Sequence, residues 1–134
     1  MANKTFEDEA RLYFVPYILG NSRASHRLSA RIYRRFGIVS VICDDRRSLL
    51  DLLDISSRSV LLTHTDSPRL VCEQLIWLAT QNDYTLPILI PTDTRYIKML
   101  DTERDHLEAC FVISSKEKIL TGSPLSSLIK DKIR

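Results

Sequence analysis

At 134 residues, with 44% hydrophobic and 27% charged side chains, the chain has the size and composition of one globular domain with a single core, and nothing in it suggests disorder or repeats. A formal net charge of +2, with a pI of about 8.5, is too slight by itself to argue for nucleic acid or membrane binding. No apolar run approaches the roughly 20 residues that a membrane span needs, and Met1 to Ala10 is polar and acidic, unlike a signal peptide or transit sequence.

Residues 1–11 read as a lead-in, and a first strand follows over Leu12 to Leu19. Pro16 breaks the strand rule because proline has no ladder donor, so regular pairing is expected to begin after it. The strand stops at Gly20 and passes through Asn21 into a helical pattern over Ser22 to Phe36. There Ala24, Leu28, Ile32 and Phe36 recur every four residues and Gly37 is the natural stop. Ile38 to Cys43 reads as a strand of a sheet covered on both faces, ended by Asp44-Asp45-Arg46-Arg47. Ser48 to Ser57 holds enough leucine and isoleucine for a short amphipathic turn or helix with poor caps. Val60 to Thr63 is the third strand, and Ser67-Pro68 places a capping serine before a proline at the first helical position. That helix runs to about Asn82 with Val71, Leu75 and Leu78 inward. Leu86 to Ile90 is the fourth strand, and Thr92 or Asp93 caps a helix whose stripe is Ile97, Leu100, Arg104 and Leu107. Phe111 to Ile113 is the fifth strand, and Ser123-Pro124 opens a last helix.

Strand and helix alternate, so the expected fold is a Rossmann-like three-layer α/β/α domain on a mainly parallel five-stranded sheet with right-handed crossovers. Ligands of such sheets sit at the carboxyl ends of the strands where the order reverses. An order of 3-2-1-4-5 puts that point between strands one and four. Gly20, Asn21, Ser22 and Arg23 then face Thr92 and Asp93, and this is the candidate cleft.

Its chemistry is constrained by what the residues lack. Gly20, Ser22 and Ser25 occupy the glycine positions of a dinucleotide GxGxxG, so two of the three carry side chains that crowd a pyrophosphate, and no GxxxxGK[ST] occurs. Asp44 and Asp45 follow the second strand where a ribose-binding acid would stand, but read as plain loop acids. Arg23, Arg27, Arg31, Arg34 and Arg35 give the first helix a solvated basic face, of which only Arg23 is placed to combine its charge with free backbone N–H groups. His26 reads as a surface residue or, less in keeping with its place, a substrate contact, and His106 as a surface residue; His64 is of more interest for its place at the end of strand three but has no metal-spaced partner. No Ser/His/Asp set assembles, so no catalytic residue and no metal ligand is assigned. Cys43, Cys72 and Cys110 lie far apart within or beside apolar stretches, as small buried hydrophobes in a reducing cytosol do. Trp77 and Tyr84 are candidate apolar anchors for a partner, Trp77 otherwise lying at a half-buried helix edge.

The run Pro16-Tyr17-Ile18-Leu19-Gly20, the helix after it and Gly37-Ile38-Val39-Ser40-Val41 resemble the opening, pre-ATP-grasp domain of ATP-grasp ligases. Leu86-Pro87-Ile88-Leu89-Ile90-Pro91-Thr92-Asp93, followed by Tyr96-Ile97 and Leu100, is similar to the corresponding segment of carbamoyl phosphate synthase-like and D-aspartate ligase-like members. The similarity spans about Leu12 to Lys132, with Asn21 in place of a second glycine often found there. It implies a substrate-side domain at 12–134 of an enzyme that makes an acyl phosphate from a carboxylate and ATP and lets an amine attack it. ATP and magnesium would be held by two later lobes, into which Leu128-Ile129-Lys130-Asp131-Lys132 resembles the leading helix. The chain alone is then expected to bind no cofactor and show no ligase activity. Gly20, Asn21, Ser22, Arg23, Thr92 and Asp93 would contact a small carboxylate, and the partners would be the remaining lobes, with no nucleic acid or membrane, in the cytoplasm. A homodimer is compatible with this reading. The alternative is a free-standing Rossmann-like regulatory module for a small metabolite or nucleotide; a gene continuing past Arg134 into glycine-rich strands and metal-binding carboxylates would favour the ligase.

Overall fold

In the computed structural model, which describes residues 14–81 and 86–115, the short apolar runs pair into one sheet. Its strands are β1 (Phe14–Leu19), β2 (Ser40–Asp44), β3 (Ser57–Leu61), β4 (Leu86–Pro91) and β5 (Val112–Ile113). All pairings are parallel, and the order β3-β2-β1-β4-β5 is the one on which the candidate cleft was placed. The connections carry α1 (Arg23–Phe36), α2 (Leu50–Leu53), α3 (Pro68–Thr80), α4 (Thr94–Thr102) and α5 (Arg104–Glu108). The expected α/β Rossmann-like layering is therefore present. The lead-in, Leu12, Tyr84, Ser123-Pro124 and Leu128 to Lys132 lie outside the described residues.

Alternation along the central strands sends successive side chains to opposite faces and builds a core on each. Phe14, Ile18, Ile42, Ile88 and Ile90 pack with Leu28, Ile32 and Phe36 of α1 on one face. Tyr17, Leu19, Val41, Cys43 and Leu89 pack on the other with Val71 and Leu75 of α3 and with Tyr96, Leu100 and Leu107. The inner stripe of α1 departs from the expected one: Ala24 is exposed, and Ser25 and Ser29 are buried. A four-residue repeat drifts around a helix of 3.6 residues per turn, so its first member leaves the face that the later ones share.

Two prolines stand within regular pairing, which corrects the expectation for Pro16. β1 pairs with β4 from Phe14 onward, but with β2 only from Tyr17. Gly20 N–H donates to Cys43 O across β2, so even-numbered residues of β1 direct their backbone groups there. The donor missing at Pro16 thus faces β2 just before that ladder starts. Pro87 is placed likewise, because Leu89 O accepts from Ser114 N–H and β5 pairing begins only at Ile88.

Helix ends follow the chain's own signals. Ser22 and Ser67 accept from Ser25 N–H and Leu70 N–H, and Gly37 closes α1 at φ 71°. The boundaries that differ lie at one edge of the sheet. β2 starts at Ser40 instead of Ile38, and β3 covers Ser57 to Leu61 instead of Val60 to Thr63. β3 is an edge strand, so its polar Ser57, Arg58 and Ser59 are tolerated in water while the backbone ladder to β2 sets the register. The amphipathic expectation for 48–57 fails in its orientation, since α2 buries no residue and Leu49, Leu52, Leu53 and Ile55 are 76–84% exposed. Among the described residues no helix is long and apolar enough to cross a membrane.

Candidate functional site

The carboxyl ends of β1 and β4 meet at the reversal of strand order, and a tight turn leaves β1 there. Gly20 sits at φ +113°, a conformation that side-chain-bearing residues rarely adopt. A Cβ on it would lie 2.6 Å from Thr92 Oγ1 and 3.3 Å from Asp93 Cβ, so the missing side chain lets the two strand ends close on each other. Thr92 completes the contact, donating through both its N–H (2.9 Å) and its hydroxyl (2.8 Å) to Leu19 O. Ser25 Oγ lies 3.0 Å from Thr92 Oγ1 and 3.2 Å from Ser22 Oγ, which extends a hydroxyl chain from the end of β4 to the cap of α1.

Of the six residues expected to line the cleft, Gly20, Thr92 and Asp93 are thus brought together. Roles within the six are divided. Ser22 caps α1, Arg23 is exposed on its first turn, and Asp93 caps α4 by accepting from Arg95 N–H at 2.8 Å. Asn21 is drawn sideways. Its N–H donates to Asp44 Oδ2 at 2.7 Å, and its side-chain amide donates to both Asp51 carboxylate oxygens at 3.0 and 3.1 Å.

Asp44 is the hub of this edge and corrects its reading as a plain loop acid. It ends β2 with 1% exposure. Oδ1 accepts from the Tyr96 hydroxyl (2.7 Å), Arg95 Nη2 (2.9 Å) and Asp45 N–H (2.7 Å), while Oδ2 accepts from Asn21 N–H. A buried carboxylate is stable only with such a set of donors. Arg95 also reaches Asp45 Oδ2 at 3.0 Å, and its guanidinium carbon lies 4.5 Å from the Tyr96 ring centre. Hydrogen bonds from Arg95 and Thr65 hold the Asp45 carboxyl well below its ordinary value. Burial, reinforced by the bond to Asp44, raises the Tyr96 hydroxyl and keeps it a donor.

A second cluster ties α1 to the α2 segment. His26, expected on the surface, is buried at 6% exposure. Its Nδ1 lies 2.6 Å from Asp54 Oδ2, and its Nε2 lies 2.9 Å from Asn21 Oδ1 and 3.1 Å from Asp51 Oδ1. Partial burial works against ionisation of Asp54, but hydrogen bonds from Ser56, His26 and Ser57 outweigh it and bring the carboxyl down to about 2. Asp51 is lowered in the same way, by Ser48, Ser59, Asn21 and His26 against its burial.

These contacts limit the chemistry. The Asn21 N–H, which in an open glycine turn would be free for an anion, is already held by Asp44. What remains accessible at the edge is the first turn of α1 with Arg23, the outer face of Arg95 (40% exposed) and part of Asp45. Among the described residues no group of three His, Cys, Asp or Glu side chains could hold a metal. His64, which was of interest for its place after strand three, is exposed at φ 51°. His106 is exposed as expected.

Sequence reading missed Arg95, Tyr96, Thr65, Asp51 and Asp54. Their signal was spatial: the strand order brings the residues after β2 and β4 to flank those after β1. Cys43 and Cys72 are buried as expected, and burial pushes Cys43 up to about 12, but Cys110 is exposed. Trp77 is more exposed than a half-buried helix edge, at 61%, and with Leu70, Val60 and Leu62 lines a groove of about 370 Å³ between α3 and β3. Comparison of the chain with protein-family models, with curated proteins and with solved structures gave no match.

Proposed function

We propose that the chain is the substrate-side domain of an ATP-grasp-type carboxylate–amine ligase, with the carboxyl edge around Gly20 and Thr92 shaping one wall of a cleft for a small carboxylate. The observation that supports it best is the placing of the glycine turn. Gly20, at a φ only glycine adopts readily, closes against Thr92 and Asp93 at the reversal between β1 and β4, using the two segments on which the resemblance to pre-ATP-grasp domains rests. Arg23, exposed on the first turn of α1 and, unlike Arg95, not engaged by Asp44 and Asp45, would pair with the carboxylate.

The described residues do not fit ATP or magnesium. They hold no phosphate-cradling loop and no cluster of metal-binding carboxylates, so no step through either group is assigned to them. In this reading acyl phosphate formation belongs to further lobes, and the residues here bind and orient.

Calorimetric titration of the purified chain tests the proposal, with Mg-ATP in one arm and a panel of amino acids and small carboxylates in the other. The expected result is no heat from Mg-ATP and a weak carboxylate heat that Arg23→Ala abolishes. Tight stoichiometric binding of Mg-ATP would replace the ligase reading with a self-sufficient nucleotide module. A carboxylate heat unchanged by Arg23→Ala would remove the proposed wall.

A further inference from the structure

The outer edge of β3 has a hydrogen-bonding pattern that is its own complement. Ser40 N–H donates to Ser56 O and Leu62 N–H to Asp44 O, so even-numbered residues of this stretch turn their backbone groups toward β2. Ser57, Ser59 and Leu61 therefore direct N–H and C=O outward, where nothing among the described residues pairs with them. An unpaired strand edge is a template for another strand, and natural monomers blunt it with proline, lysine or a bulge. β3 has none of these, and Arg58 is its one charged residue.

Apolar side chains flank that edge on both faces of the sheet. Val60 and Leu62 belong to the core on the α3 side, so Leu61 lies on the α1 side, the side of α2 and of Leu53 and Ile55. On the α3 side stand Trp77 and Leu70, at the lip of the groove. A standard interface buries ~800 Å² per partner, and here the exposed apolar surfaces of Leu53, Ile55, Leu61, Leu70 and Trp77 add to the strand edge.

We propose that this edge is the interface with a second copy of the same chain, joined by antiparallel pairing of β3 with β3 about a two-fold axis through Ser59. The axis stands perpendicular to the sheet, so each face continues into its equal. Ser59 then opposes Ser59, Ser57 opposes Leu61, and all three outward residues of each strand exchange both bonds with the other copy. On the α3 side Arg58 of one copy comes beside the groove of the other, where Glu73 offers the opposite charge. A foreign strand could use the same backbone, whereas a second copy also brings its own Leu61 and its own groove with Leu70 and Trp77 to the two faces. The inference goes beyond the ligase reading and does not depend on it.

Sedimentation velocity and oxidative cross-linking test the proposal on the full 134-residue chain. The wild type is expected to sediment as a dimer across the micromolar range, and Leu61→Lys, at an exposed position, as a folded monomer with an unchanged circular dichroism spectrum. In a Cys110→Ser background, Ser59→Cys is expected to form a covalent dimer on oxidation, since directly opposed residues of a hydrogen-bonded pair lie about 5.5 Å apart, within disulfide reach. Arg58→Cys is expected not to do so, because its mate lies diagonally about 7–8 Å away. A monomeric wild type, a dimer that survives Leu61→Lys, or cross-linking through position 58 as readily as through 59 would each overturn the proposal.

Discussion

Asp44 concentrates the polar energetics of the molecule in one carboxylate. Two backbone N–H groups, a guanidinium and a buried phenol all depend on it for an acceptor. Asp44→Ala would take this acceptor from the buried Tyr96 hydroxyl and from the Asn21 and Asp45 N–H groups, while Arg95 keeps Asp45, at a cost of about 3–5 kcal/mol. Tyr96→Phe removes one donor and leaves the rest satisfied, and should cost about 1–2 kcal/mol. Urea denaturation of the two variants checks the ordering, and equal losses would show that Asp44 acts through Tyr96 alone. Neither Asp44 nor His26 was legible as buried. Their local sequence is polar and their partners come from other connections, so only the fold reveals that an acid at a strand end is a hub.

Elements were more legible than residues wherever the signal was covalent or local. Ser67-Pro68, Ser22 and Gly37 act where the chain places them, because caps and turns depend on a few neighbours. β3 was misplaced because an edge strand with one neighbour needs no apolar pattern, and α2 was misjudged because its leucines face away from the core. The turn at Gly20 carries the sharpest prediction at this scale. Gly20→Ala adds an atom that meets Thr92 at 2.6 Å in a backbone conformation hostile to any side chain, and should destabilise by about 2–4 kcal/mol. A thermal melt shows the loss. A variant as stable as the wild type would mean that the turn opens freely and that the two strand ends are not held together there.

For the whole molecule, the parallel α/β layering followed from the alternation of elements, while the strand order entered only as a supposition and the state of the edge not at all. That edge and the cluster behind it are rich in carboxylates, and Asp45, Asp51 and Asp54 are all lowered on folding, Asp54 to about 2 from an ordinary 3.8. The folded chain thus holds fewer protons than the unfolded chain in acid. The stability these groups contribute is complete above about pH 5 and drains away as the pH falls toward about 2. Urea midpoints should be level from neutral to about pH 5 and then drop, with a shallower fall in Asp54→Asn. A wild-type midpoint that holds level to about pH 3 would contradict the assignment of these carboxylates.

The single tryptophan of the chain, Trp77, is 61% exposed at the lip of the groove. Its indole already emits from a largely aqueous setting in the native state, so unfolding shifts its fluorescence little, whereas any surface that closes over α3 shifts it to the blue. In this protein the intrinsic optical signal that commonly reports a melting core reports instead on company at the periphery.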